Sequence, residues 1–282
     1  MAAATHPYIP RVGVVFDFDR TLASDTIDAL CAEWGLDRTE WEETYQDPLG
    51  DHWDGIIKRG WALIQCGHDR GDRLTRDFFH RAARHIDIYP GVTELKDRLG
   101  AVAAEIDEDC EVELVVLSAG YIEMIEQTAC EEAFDRTWAG SFHFNDHDEA
   151  VAVKRIIPHP AKSLYLEAYA KGMSVDTANE PQTDQPDRDP DDMHVPFDQL
   201  IYVGDGLSDL KAFEFINRCG GQAIAVDKDE KFDHADKQTR EQRVENLAPP
   251  DYSEGSQMLE SLSHAVAGAA RRAALQKQGQ DE

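Results

Sequence analysis

The 282-residue chain contains no apolar run near the roughly 18 residues that a membrane-spanning helix requires. Cysteine is scarce. Cys31, Cys66, Cys110, Cys130 and Cys219 are odd in number and dispersed, with no C-x-x-C pair. That pattern argues against a disulfide framework and a zinc site, and it points to a reducing compartment. The apolar run Val12–Phe16 is too short for the core of a signal peptide and is followed at once by acids, so a cytoplasmic location is expected. Positive charge is also in short supply: 28 Lys+Arg face 56 Asp+Glu, for a net charge of −28. Such a surface repels nucleic acid and anionic membranes, so neither is an expected partner. Only 10 of the cations are lysines. Acid excess with sparse lysine fits a protein kept soluble in concentrated salt, and it equally fits an ordinary acidic protein.

The chain does contain buried-strand patterns. Val12-Gly-Val-Val-Phe16, Val112-Glu-Leu-Val-Val-Leu117, Leu200-Ile-Tyr-Val203 and Gln222-Ala-Ile-Ala-Val226 are short apolar runs of the kind found in parallel sheets. Helical patterns lie between them, over Tyr121–Ala133, Ala161–Lys171 and Ser208–Ile216. This alternation predicts an α/β fold with a doubly wound parallel sheet. Residues 25–88 interrupt it with amphipathic segments and no convincing strand, for example Trp53–Cys66 and Leu74–Ile86. The block is expected to be a helical cap, with Trp34, Trp41, Trp53 and Trp61 as its core. The expected organisation is a core of residues 1–24 and 89–228, the cap 25–88, an acidic exposed loop 174–198, and a polar C-terminal extension 229–282 ending in a helix near Ser256–Leu275. No internal repeat is present.

Three polar clusters directly follow predicted strands: Asp17-Phe-Asp19-Arg-Thr21, Ser118-Ala119-Gly120 and Gly204-Asp205-Gly-Leu-Ser-Asp209. In a parallel sheet the ligand site lies outside the carboxyl ends of the strands, so the three should meet in one crevice. Carboxylates crowded in a partly dry cleft need a cation or a shared proton. Oxygen donors without His or Cys select Mg²⁺. Asp17 and Asp205 are the leading ligands, with the Asp19 main-chain carbonyl a further candidate. Taken singly, each cluster has a plainer reading as a helix cap or turn.

Asp17-Phe-Asp-Arg-Thr21 closely resembles the first motif (D-x-D-x-T) of the haloacid dehalogenase superfamily, Ser118 its second motif, and Gly204–Asp209 its fourth. The likeness covers about residues 12–226, and the phosphoserine-phosphatase-like members, with their small helical cap, are the nearest subgroup. It implies a Rossmann-like core with an inserted helical cap of the C1 type. It also implies an Mg²⁺-dependent phosphatase that hydrolyses a small phosphorylated metabolite through an aspartyl-phosphate. By the same resemblance Asp17 is the nucleophile and Asp19 the acid and then the base. Thr21, Ser118, Ala119 and Gly120 surround the phosphoryl group, and Asp205 and Asp209 complete the metal site with Asp17 and Asp19. The family's third motif is a lysine near the start of a helix. Lys162 is preferred because it opens the Ala161–Lys171 pattern, and Lys154 is the alternative.

The second acid, Asp19, favours phosphoryl transfer over dehalogenation, because a departing halide needs no proton. A phosphotransferase or 2-haloacid dehalogenase on the same core, and a catalytically silent Mg²⁺-binding regulatory protein, remain as alternatives. Asp25 and Thr26 stand where the cap begins and are candidate substrate contacts. Phosphoserine phosphatases carry a glutamate near this point and this chain carries Thr26, so the resemblance does not extend to phosphoserine itself. Arg59, Arg70 and Arg73 are read as solvated surface charges with the capacity to hold a substrate carboxylate or second phosphate.

Overall fold

The structure, a computed structural model, describes residues 8–173, 192–206, 208–226 and 246–280. Most of the expected acidic loop (174–191), Leu207 of the third cluster and residues 227–245 lie outside the described residues. The architecture is α/β. Seven strands form one sheet: β1 (Arg11–Phe16), β2 (Glu111–Tyr121), β3 (Arg136–Phe144), β4 (Ala150–Arg155), β5 (Leu200–Gly204), β6 (Gln222–Val226) and β7 (Asn246–Ala248). Their order is β4-β3-β2-β1-β5-β6-β7, and only β4 runs antiparallel to its neighbour. The helices are α1 (Thr26–Glu33), α2 (Arg38–Trp41), α3 (Gly55–Arg70), α4 (Arg76–Ala82), α5 (Leu95–Ala104), α6 (Ile122–Ile125), α7 (Cys130–Ala133), α8 (Lys162–Ala170), α9 (Leu210–Arg218) and α10 (Gln257–Gln280).

The strands are apolar on both faces because both faces are covered. Val12, Val14 and Phe16 of β1 join Leu114, Val116, Ile201 and Val203 in a core closed by α5 and α10. Val15, Val115, Leu117 and Tyr202 point the other way, into a second core closed by α8 and α9. This is the period-two alternation of a strand. Gly13 leaves the room that the Tyr169 ring occupies, since a Cβ there would lie 2.7 Å from that ring.

Three expectations change. Tyr121–Ala133 is not one helix: β2 runs through Tyr121, and α6 and α7 are separate turns. Thr128 lies between them, donating its hydroxyl to Ile125 O at 2.7 Å and accepting from Cys130 N, so a side chain competes with the helical ladder. The C-terminal stretch is not simply a polar extension. It supplies β7 and α10, and Met258, Leu262, Val266 and Ala269 of α10 are buried in the first core. Their helical spacing and the small residues Ala265, Ala270 and Ala273 allow close packing on the sheet. The described end of the expected acidic loop is packed rather than exposed: Val195 is buried, and His194 N donates to Ala170 O at 2.9 Å.

Between β1 and β2 the chain is helical, and α1, α3 and α4 enclose their own apolar core of Leu30, Trp34, Trp41, Leu63, Phe78 and Phe79, joined by Tyr121 and Phe142 from the sheet. Trp34 and Trp41 are buried, as expected. Trp53 and Trp61 are not, at 42 % and 38 % exposed: Trp61 lies on the outer side of α3, and Trp53 lies in the bend before that helix.

Candidate active site

Strand β1 is flanked by β2 and β5, so the crevice at its carboxyl end lies where the strand order reverses. Asp17, the first residue after β1, donates its N–H to Val203 O at 2.8 Å, which ties it to β5. Its Oδ1 accepts from Phe18 N at 2.8 Å, and its Oδ2 lies 3.0 Å from Lys162 Nζ. Lys162 opens α8 and is fully buried. The same ammonium donates to Asp209 Oδ1 at 2.6 Å. Of the two lysines weighed from the sequence, Lys162 meets the acids, while Lys154 is exposed on β4.

Asp209 is saturated with donors. Oδ1 accepts from Lys162 and from the Tyr202 hydroxyl at 2.6 Å; Oδ2 accepts from Asp205 N at 3.1 Å and Ser208 Oγ at 3.2 Å. A Cβ on Gly204 would collide with this carboxylate, so the glycine is a space requirement. Gly206, at φ 114°, turns the chain between Asp205 and Asp209. Asp205 accepts from Ser208 Oγ at 2.9 Å and pairs with Arg20 at 3.4 Å.

Carboxylate oxygens of Asp17, Asp205 and Asp209 lie within 4.8 Å of one another. Burial pushes the Asp17 carboxyl well above its usual range; Lys162 opposes the rise, and Asp209, Asp19 and Asp205 add to it. Burial also raises Asp205, with Asp209 adding to it. Burial works to lower the Lys162 ammonium, but Asp17 and Asp209 outweigh it and the pKa rises. One lysine therefore offsets only part of the negative charge, and an all-oxygen donor set with surplus charge suits a hard divalent cation such as Mg²⁺. With Asp209 held by Lys162, the Tyr202 hydroxyl and Asp205 N, and sharing the one Ser208 hydroxyl proton with the nearer Asp205 Oδ1, Asp17 and Asp205 retain the free oxygen capacity for a metal.

Asp19 points across the crevice. Its Oδ1 accepts from Thr26 N at 2.8 Å and its Oδ2 from Thr26 Oγ1 at 3.2 Å. Burial, then the Asp25 charge, raises its carboxyl to about 6 against these hydrogen bonds. Thr26, a candidate substrate contact, is fully buried and holds Asp19. Asp25, the other candidate, caps α1 through Ile27 N at 2.9 Å and pairs with Arg20 and Arg38.

Ser118, Ala119 and Gly120 sit where the β2–β3 register shifts between Leu117 and Tyr121, which loosens the ladder at that point. Ser118 is buried, and its Oγ accepts from Gly120 N at 2.9 Å. A Cβ on Gly120 would lie 2.9 Å from Asp19 Oδ2, so this glycine lets the first two clusters approach. Thr21 is buried, its Oγ1 without a partner among the described residues, and its main-chain oxygen accepts from the Tyr252 hydroxyl at 2.8 Å.

Sequence reasoning missed Tyr202 and Tyr252. Tyr202 lies within a predicted strand, where period-two spacing from Leu200 assigns it a face but not a partner. Tyr252 carries no sequence signal, because 231 residues separate it from Thr21.

No family model matches this chain. A protein of Borreliella burgdorferi described only as uncharacterized is 23 % identical over 281 residues, covering 88 % of this chain and 93 % of that one. Solved structures say more about the fold. A substrate-bound phosphoserine phosphatase superposes with a TM-score of 0.55 and 16 % identity over 90 % of this chain and 98 % of its own. A HAD family hydrolase from Salmonella enterica serovar Typhi gives 0.55 and 12 % over 89 % and 69 % of the two chains. The chain has the haloacid dehalogenase fold, in a phosphoserine-phosphatase-like arrangement. A probable phosphoserine phosphatase from Vibrio cholerae gives 0.57 and 14 % over 93 % and 66 %. In this HAD fold the acidic crevice lies at the carboxyl ends of β1 and β5, and among the described residues no helix is long and apolar enough to cross a membrane.

Proposed function

We propose that the protein is a HAD-type phosphatase of the cytoplasm that hydrolyses a small phosphate monoester with Mg²⁺ through an aspartyl-phosphate. The observation that carries the reading is the buried Lys162 ammonium between Asp17 and Asp209, with Asp205 alongside. A carboxylate nucleophile meets a negatively charged ester only where that charge is neutralised. Asp17 and Asp205 would hold the metal, with the Asp19 main-chain carbonyl, and Asp209 would orient Asp205 and Lys162. When bound, the ion supplies positive charge to the phosphoryl oxygens.

An Asp17 oxygen attacks phosphorus as the P–O bond to the leaving group breaks, and Asp19 gives that oxygen its proton. Asp19 then takes a proton from water as the water oxygen attacks phosphorus, releasing phosphate and restoring Asp17. Two bonds from Thr26 aim the Asp19 carboxyl, and its raised pKa near 6 suits a group that must both hold and accept a proton. Ser118 and the N–H groups of Ala119 and Gly120 would bind the phosphoryl oxygens, with Thr21 supporting the first loop. The helical block 25–88 would act as a cap over the crevice.

The test is hydrolysis of an aryl phosphate with Mg²⁺, with and without chelator, by the wild-type chain and Asp17→Asn. Hydrolysis that chelator removes and D17N loses by at least about 10³-fold is expected, with Mg²⁺ binding largely retained. Substantial turnover by a folded D17N variant would reject the assignment.

A further inference from the structure

Arg20 stands where the first cluster turns away from β1. Its φ is 60°, in the left-handed region that glycine and asparagine enter more easily. Arg20 N closes the turn by donating to Ala23 O at 2.8 Å, so the backbone does not account for an arginine here. The side chain is 58 % exposed, and its Nε lies between two carboxylates, 3.4 Å from Asp205 Oδ2 and 3.5 Å from Asp25 Oδ2. Both contacts are longer than an ordinary hydrogen bond, so charge alone holds the guanidinium, and only loosely.

The two carboxylates belong to different parts of the molecule. Asp205 follows β5 and faces Asp17 and Asp209. Asp25 opens the helical block, where it caps α1 through Ile27 N. The two chain segments that join the sheet to this block run side by side. Ala23 bridges to Ile88, Ser24 N donates to Asp87 O at 2.9 Å, and Tyr89 N donates to Leu22 O at 2.9 Å. Arg20 is an ionic link across that junction. Each acid has one oxygen otherwise engaged: Asp205 Oδ1 accepts from Ser208 Oγ, and Asp25 Oδ1 from Arg38 at 3.2 Å. The second oxygen of each faces Arg20.

A divalent cation held by Asp17 and Asp205 would meet this guanidinium at the same Asp205 oxygen, and the two positive charges repel. We propose that Arg20 is a positioning residue that neutralises Asp205 until a divalent cation binds, then yields that oxygen and pairs with Asp25. The inference rests on the Mg²⁺ site proposed above. A half-exposed ion pair is weak, so an ion of twice the charge displaces it readily. Asp25 is the acceptor because its Oδ2 already lies beside the same nitrogen. Occupancy of the metal site is thereby carried to the first residue of the helical block, whose position over the crevice depends on that junction.

The test is calorimetric titration of the full chain with MgCl₂, without substrate, at low and at molar sodium chloride. The variants are Arg20→Asn, Arg20→Lys, Asp25→Asn and the R20N/D25N pair, with melting temperatures to show that each is folded. Asparagine tolerates the left-handed turn and still caps a helix, so both neutral replacements keep the local backbone. R20N removes the competing charge and should bind Mg²⁺ about three- to tenfold more tightly than the wild type at low salt. The gain should shrink in molar salt, where exposed charges are screened. R20K keeps the charge and should stay within about twofold of the wild type. D25N denies Arg20 its second partner and should weaken binding, by a factor that falls below about twofold once Arg20 is also replaced. An R20N affinity equal to that of the wild type overturns the proposal, as does R20K binding as tightly as R20N. A D25N loss that persists in full in the R20N background overturns it too. A folded wild type that binds no Mg²⁺ overturns the proposed metal site itself, and this inference with it.

Discussion

On the sheet side of the crevice both Asp209 oxygens accept hydrogen bonds, from Lys162 and Tyr202 on one and from Asp205 N on the other, and the Lys162 ammonium is held by two carboxylates. Towards the helical block, buried polar atoms lack partners among the described residues: Arg59 Nε, Tyr121 Oη and Glu123 Oε2. Arg59 and Tyr121 border the acids, since Arg59 works to lower the Asp19 carboxyl and Asp19 adds to the rise of Tyr121. A saturated network is rigid and suits a group of constant chemistry, here the phosphoryl group of the proposed reaction. A wall with unfilled hydrogen-bonding capacity suits the part of a ligand that varies.

That contrast is broken most severely at its saturated side. Lys162→Met leaves Asp17 and Asp209 buried without their cation and is expected to cost about 3–5 kcal/mol, read as a large fall in melting temperature. A smaller loss, below about 1 kcal/mol, would mean that the network is not the rigid element.

Glu123 probes the other side. Burial raises its carboxyl to about 7, with its Oε1 accepting from Phe142 N at 2.8 Å. A carboxyl raised in the folded state contributes most below its unfolded pKa of roughly 4.3 and loses that contribution as pH climbs through about 7. The wild type should lose on the order of 2 kcal/mol from this group between pH 5 and 8. Glu123→Gln should abolish that share of the decline, and parallel melting profiles for the two proteins would refute it.

The smallest effect on stability is expected at Arg59. Arg59→Ala removes no ion pair among the described residues and should change stability by about 0.5 kcal/mol or less. If the helical wall receives the variable part of the substrate, the same change raises KM for phosphate esters with a second anionic group far more than for a plain aryl phosphate. An equal change for both would place Arg59 outside substrate recognition.

Strands β1, β2, β5 and β6 were legible because each centres on a short, mostly apolar run. Strand β3 was not, since Arg136-Thr-Trp-Ala-Gly-Ser-Phe-His-Phe144 mixes polar and apolar residues and packs partly on the helical block. Strand β7 has three residues, too few for any pattern. In the site, Asp17, Asp19, Ser118 and Asp205 were visible as polar residues just after apolar runs. Thr26 was visible only as a threonine near the start of the cap, and only the fold turns it onto Asp19.

The sequence by itself determined the strand cores, the α/β class, the order of the three acidic and hydroxyl clusters, and the charge surplus that calls for a cation. These are local properties, written in period, composition and position after a strand. Only the tertiary structure decided that Lys162 and not Lys154 reaches the acids, that Tyr202 braces Asp209 while Tyr252 holds the Thr21 main chain, and that Trp53 and Trp61 face outward. Those outcomes depend on contacts between residues distant in the chain, and neither propensity nor spacing carries information about such pairs until the sheet order is fixed.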